Sequence, residues 1–129
     1  MQLDFAKLDG LLPAIVQDAA SGEVLMLGFM NEQAYRETRT SGQVTFFSRT
    51  RNKLWRKGEQ SGHVLKVREV RVDCDGDTVL IRVDPVGPGV CHEGYRSCFF
   101  RSLDAAGATT VLAARTFDPA AVYKESSQQ

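Results

Sequence analysis

Two short apolar runs open the chain, Leu12 to Gln17 and Val24 to Met30, with Asp18-Ala19-Ala20-Ser21-Gly22 between them. The runs are strand-sized and the spacer carries turn chemistry, so the pattern predicts a hairpin. Asn31 follows as a helix N-cap, with Glu32 and Gln33 well placed in the first turn. Ala34, Tyr35 and Thr38 continue that helix until Ser41-Gly42 stops it. Val44 to Ser48 reads as a strand, and Arg49 to Ser61 as a polar, basic loop around the only tryptophan, Trp55. From His63 to Val72 the alternation changes register. Leu65 and Val67 set one phase and Val70 and Val72 the other, so the slip at Glu69 predicts a bulge or bend. Asp75-Gly76-Asp77 reads as a tight turn leading into a strand from Thr78 to Asp84. Cys98 to Leu103 is short and largely apolar, Ala105 to Arg115 fits strand or helix, and the polar end from Lys124 to Gln129 is expected to fray. The expected class is α+β: one strand-rich domain over residues 1–129, its core about 10–116, with one main helix.

Composition narrows the class of function. A chain of 129 residues is long enough for one domain with its own core. Sixteen Lys and Arg balance sixteen Asp and Glu, so no net field recruits nucleic acid or an anionic membrane, and an anionic ligand must meet a local basic cluster. The longest apolar runs are strand-sized, and the first residues lack the basic-then-apolar order of a signal peptide. A soluble cytoplasmic protein is expected. The three cysteines, Cys74, Cys91 and Cys98, are an odd number in such a chain. That argues for metal or catalytic use over a disulfide framework, although free cysteines also serve as small buried hydrophobes.

Three clusters carry chemistry. In Asp73-Cys74-Asp75-Gly76-Asp77 the carboxylates recur at every second position. An extended segment would project them to one side and Cys74 to the other. Hard oxygens suit Mg²⁺ and the thiolate suits Zn²⁺, while an exposed acidic turn has the same spelling. An EF-hand fits poorly, because Thr78 stands where its loop needs glycine and Asp84 where it needs glutamate. Cys91 and Cys98 lie seven apart, after Gly87-Pro88-Gly89. Folded back, they would make three thiolates with Cys74, and three protein ligands with an open fourth position is the arrangement of a catalytic zinc. His92 or His63 would close a structural site instead. The third cluster, Arg49, Arg51, Lys53, Arg56 and Lys57, puts five basic residues within nine positions, a local excess able to grip phosphate or to lie solvated on a loop.

Together these segments resemble the phosphoribosyl-AMP cyclohydrolase family. The matching stretches are Phe29-Met30-Asn31-Glu32-Gln33-Ala34, Phe47-Ser48-Arg49-Thr50-Arg51, Leu54-Trp55-Arg56-Lys57-Gly58-Glu59 and Ser61-Gly62-His63. Most specific are Asp73-Cys74-Asp75-Gly76-Asp77-Thr78, Gly87-Pro88, Cys91-His92 and Ser97-Cys98-Phe99. The resemblance implies an intertwined homodimer whose active sites are built from both chains, with a small nucleotide as substrate. It implies Mg²⁺ on Asp73, Asp75 and Asp77, and Zn²⁺ on Cys91 and Cys98 of one chain with Cys74 of the other. The reaction it implies is hydrolysis of the N1–C6 bond of 1-(5-phosphoribosyl)-AMP in histidine biosynthesis, with zinc-bound hydroxide attacking C6. Thiolate ligands leave that water less acidic than histidines would, so a base is expected nearby: His92 first, His63 second. Arg49, Arg51 and Lys57 are the expected phosphate contacts. Two other classes share parts of the pattern. A zinc nucleobase deaminase would show H-x-E and P-C-x-x-C, and both are missing. A zinc-stapled binding module would need four protein ligands.

Overall fold

The computed structural model describes residues 2–123, so the tail from Lys124 to Gln129 lies outside the described residues. The fold is strand-rich with one main helix. The elements are β1 (Leu12–Asp18), β2 (Val24–Met30), α1 (Glu32–Ser41), β3 (Thr45–Ser48), β4 (Lys53–Arg56), β5 (Leu65–Val72), β6 (Val79–Pro85), β7 (Arg101–Leu103), β8 (Thr109–Val111) and a single turn, α2 (Pro119–Val122). The main sheet has the order β2-β1-β6-β5; β3-β4 and β7-β8 form separate two-stranded ribbons.

β1 and β2 form the expected hairpin, and β1 buries every second residue. The bulge in β5 falls between Val67 and Glu69, where the hydrophobic register slips, leaving Arg68 without a partner in the ladder. β1 also pairs with β6 in parallel, a contact across some sixty residues that no local pattern announces. α1 begins at Asn31, whose side chain accepts from the Ala34 N–H, and ends at Gly42 in the left-handed conformation. It presses Ala34 and Thr38 inward. Thr38 is buried without loss because Oγ1 donates to the Ala34 and Thr45 carbonyls and accepts from the Thr45 N–H.

Two expectations need revision and one open choice is settled. The basic stretch from Arg49 is not a loop throughout: Lys53–Arg56 pairs with β3, because Leu54 and Trp55 pack inward and the Trp55 ring lies 5.2 Å from that of Phe46. The segment around Cys74 is a turn rather than an extended strand. Asp73 Oδ1 accepts from the Asp77 and Thr78 N–H groups, curling the chain so that the carboxylates converge by turn geometry and not by strand alternation. Of the two options for Ala105 to Arg115, Thr109–Val111 is strand.

The core runs from Leu12, Ala14 and Val16 of β1 through Val79, Ile81 and Val83 of β6 to Phe46 of β3. Gly28 makes this packing possible, since a Cβ there would stand 2.5 Å from the Phe46 ring. No helix among the described residues is long and apolar enough to cross a membrane.

Candidate metal centre and active site

The β5–β6 turn gathers the carboxylates. Gly76 takes φ +76° and donates its N–H to the Asp73 carbonyl at 3.3 Å, while the Asp73 N–H donates to the Thr78 carbonyl at 3.1 Å. This brings one oxygen each from Asp73, Asp75 and Asp77 within 4.8 Å of one another. Three like charges so close are unfavourable without a cation. In this structure Lys7 provides one: its Nζ donates to Asp75 Oδ2 at 3.0 Å and to Asp77 Oδ2 at 3.1 Å. Those two hydrogen bonds hold the Lys7 ammonium well above the usual lysine range. Cys74 is exposed on the same turn.

Cys91 and Cys98 sit on a different loop. The Cys91 N–H donates to the Tyr95 carbonyl at 3.1 Å and the Gly94 N–H returns to the Cys91 carbonyl at 3.0 Å, closing a tight turn at Gly94, where φ is +96°. The stem is fastened to β2: the Cys98 N–H donates to the Leu25 carbonyl at 2.8 Å, Ser97 Oγ donates to the Val24 carbonyl at 2.8 Å, and Arg96 pairs with both Asp18 and Glu23. Tyr95 and Phe100 stack at 3.6 Å beneath it. So held, the two thiols act on each other. The neighbouring Cys98 thiol, with help from the Glu93 and Tyr95 N–H groups, brings the Cys91 thiol down to about 6. The same interaction together with burial pushes the Cys98 thiol well above the ordinary range. One thiolate is therefore ready near neutral pH. Within one chain Cys74 does not join this pair in a cluster of three ligands.

The remaining expected site residues separate. His92 is exposed beside Cys91, on which its charge acts. His63 is half-buried: its ring meets Phe117 edge-on at 4.9 Å and covers Gly87, where a Cβ would stand 2.6 Å from the imidazole. Its Nδ1 is buried without a hydrogen-bond partner among the described residues. The Arg49 guanidinium lies 4.1 Å over the Phe29 ring, at a cavity of about 210 Å³ lined also by Phe46, Phe47, Ser48 and Trp55. Arg51 is exposed in the β3–β4 turn, its N–H donating to Ser48 Oγ at 3.2 Å. Lys57 parts company with both arginines. It is only 2 % exposed, and burial lowers its pKa against the opposing pull of Cys98 and Cys91. Sequence reading missed Tyr123, whose phenol is pushed up by burial, with Ser61 pulling the other way and the charge of Cys91 and Cys98 adding to the rise. It missed Lys7 as well. Nothing local marks either residue, because their partners are remote in sequence, 68 and 70 positions away for Lys7.

Hard oxygens on one turn and soft thiols on another loop make a donor set for two classes of cation within one α+β domain. The family profile described as phosphoribosyl-AMP cyclohydrolase matches residues 26–100. A phosphoribosyl-AMP cyclohydrolase of Solibacter usitatus is 59% identical over 123 residues, covering 95% of this chain and 97% of the relative. Those of Desulforapulum autotrophicum and Oleidesulfovibrio alaskensis are 52% and 54% identical, covering 96% and 94% of this chain and 99% and 92% of theirs. The chain belongs to the phosphoribosyl-AMP cyclohydrolase family.

Proposed function

We propose that this chain opens the purine ring of 1-(5-phosphoribosyl)-AMP at the N1–C6 bond, a step of histidine biosynthesis. Water supplies the oxygen that joins C6, the N1–C6 electron pair leaves with N1, and N1 takes up a proton. The product is the formimino-AICAR ribonucleotide, with a carboxamide at the former C6. The observation that carries this reading is the placement of buried Cys91 and half-buried Cys98 on one loop, with one thiol poised as thiolate.

The donor chemistry fits two ions. Cys91 and Cys98, with Cys74 from a second copy, would hold Zn²⁺; Asp73, Asp75 and Asp77 would hold Mg²⁺, whose place the Lys7 ammonium fills as a stand-in. Zinc in such a site acts as a Lewis acid and makes water nucleophilic near neutral pH. His92, adjacent to Cys91, takes the proton from the attacking water, and His63 is the second group able to hold one. Lys57 places a positive charge against the thiols and offsets the negative charge of a thiolate-rich site. Arg49 at its aromatic cavity and Arg51 on the neighbouring turn bind the substrate phosphates.

A second copy is supported by what one chain leaves uncovered. Every residue of β7 and β8 is exposed, and Phe99, Leu103, Val111 and Leu112 are 57%, 71%, 55% and 62% exposed. An isolated two-stranded ribbon is marginal in water, and an apolar patch of this kind marks an interface. A homodimer covers it and brings the exposed Cys74 of one chain to the thiol pair of the other.

The test is turnover of 1-(5-phosphoribosyl)-AMP by purified protein before and after zinc chelation, followed by ultraviolet absorbance. Turnover is expected to stop on chelation and to return with zinc. His92→Ala is expected to keep its zinc while losing about 10²-fold in rate. A folded, zinc-loaded dimer supplied with Mg²⁺ that leaves the substrate intact contradicts the reading.

A further inference from the structure

Lys7 lies 68 positions before Asp75, yet a structured segment delivers it to the acidic turn. The Asp4 N–H donates to the Gly76 carbonyl at 2.7 Å, and the Ala6 N–H to Asp4 Oδ1 at 3.0 Å. Beyond the lysine, the Gly10 N–H donates back to the Phe5 carbonyl at 2.7 Å, while Phe5 packs against the core and meets the Tyr35 ring edge-on at 6.4 Å. The segment is thus fastened on both sides of Lys7, and the ammonium is presented to Asp75 and Asp77 rather than wandering past them. Asp73 has other obligations, since its Oδ1 accepts from two backbone N–H groups of the turn. Asp75 and Asp77 are the two carboxylates that Lys7 holds, each through its Oδ2, while Asp77 Oδ1 accepts from Thr78 Oγ1 at 3.4 Å.

We propose that Lys7 is an intramolecular occupant of the Asp73–Asp75–Asp77 cation site, displaced when a divalent cation enters. It rests on the reading of that triad as a cation site. An ammonium and a dication compete for the same anionic oxygens, so Lys7 weakens the apparent affinity by the share of molecules in which it is bound. While the site lacks a dication, Lys7 also offsets the repulsion among the carboxylates and keeps them gathered. Filling the site releases the lysine and loosens the segment around it from the turn, which ties the order of the N-terminal segment to metal occupancy.

Titration of the zinc-loaded protein with Mg²⁺ by calorimetry, and with Mn²⁺ by electron paramagnetic resonance, tests this. Lys7→Met and Lys7→Gln are expected to bind either ion about three- to tenfold more tightly than the unaltered protein, and Lys7→Arg to stay near it. Loss of a positive charge alone could raise affinity without any displacement, so amide hydrogen exchange supplies the second readout. In the unaltered protein, exchange at residues 4–11 is expected to quicken when Mg²⁺ is added. Equal or weaker binding by both neutral variants overturns the proposal, as does exchange that Mg²⁺ leaves unchanged. Binding that is the same in all four proteins and lost in Asp77→Asn overturns only the role of Lys7. No binding in any of them sinks the cation site along with it.

Discussion

Replacing Cys91 with alanine is expected to strip zinc from the protein and to lower ring opening by on the order of 10³-fold. Cys91 is the thiol that the structure prepares: it is 3% exposed, its sulfur accepts from the Glu93 N–H, and the neighbouring Cys98 thiol with that N–H brings it down to about 6. Alanine removes the thiolate and leaves Cys98 without a companion ligand. The fold should survive, because the loop is held by Arg96, Ser97 and the Cys98 backbone rather than by the Cys91 side chain. Metal content per chain, measured beside circular dichroism, separates the two effects. Native-like dichroism with the zinc lost is the expected result; full zinc retention would show that the thiol pair is not the zinc site.

The second large effect comes from mixing defective chains. Cys74→Ala and Cys91→Ala homodimers are each expected to be inactive. Mixed by refolding together, they should recover about a quarter of the unaltered activity, since about half of the dimers are mixed and each mixed dimer holds one intact site and one doubly damaged one. The reason lies in the placement of the cysteines. Cys74 is exposed on the β5–β6 turn and does not cluster with Cys91 and Cys98 inside one chain. Recovery above the two parents supports a site shared between copies. A mixture as inactive as its parents, in dimers shown to be mixed, would place all the zinc ligands within one chain.

What could be read from the residues depended on how local the cause was. The β1–β2 hairpin, the Asn31 cap, the Gly42 stop and the bulge beside Arg68 each arise from neighbours in sequence, and each was legible. The parallel pairing of β1 with β6 was not, because it depends on which strands meet after collapse. β4 was hidden for a related reason: Lys53 to Arg56 has only Leu54 and Trp55 to bury, and their value appears once Phe46 stands opposite. In the site, the alternation of Asp73, Asp75 and Asp77 pointed to a convergent set, although a turn and not a strand achieves it. The three basic residues Arg49, Arg51 and Lys57 look equivalent in sequence, and only tertiary packing separates two exposed arginines from a lysine sealed against thiols. Lys7 and Tyr123 carried no local mark at all.

The most direct test of ring opening at N1–C6 is to run the reaction in ¹⁸O-labelled water and locate the label by fragment mass spectrometry of the product. Attack at C6 predicts one heavy oxygen per turnover, in the carboxamide of the imidazole fragment, and formation of that product only by zinc-loaded protein. Label in a one-carbon fragment derived from C2, or the same labelled product at the same rate without the protein, would contradict the account.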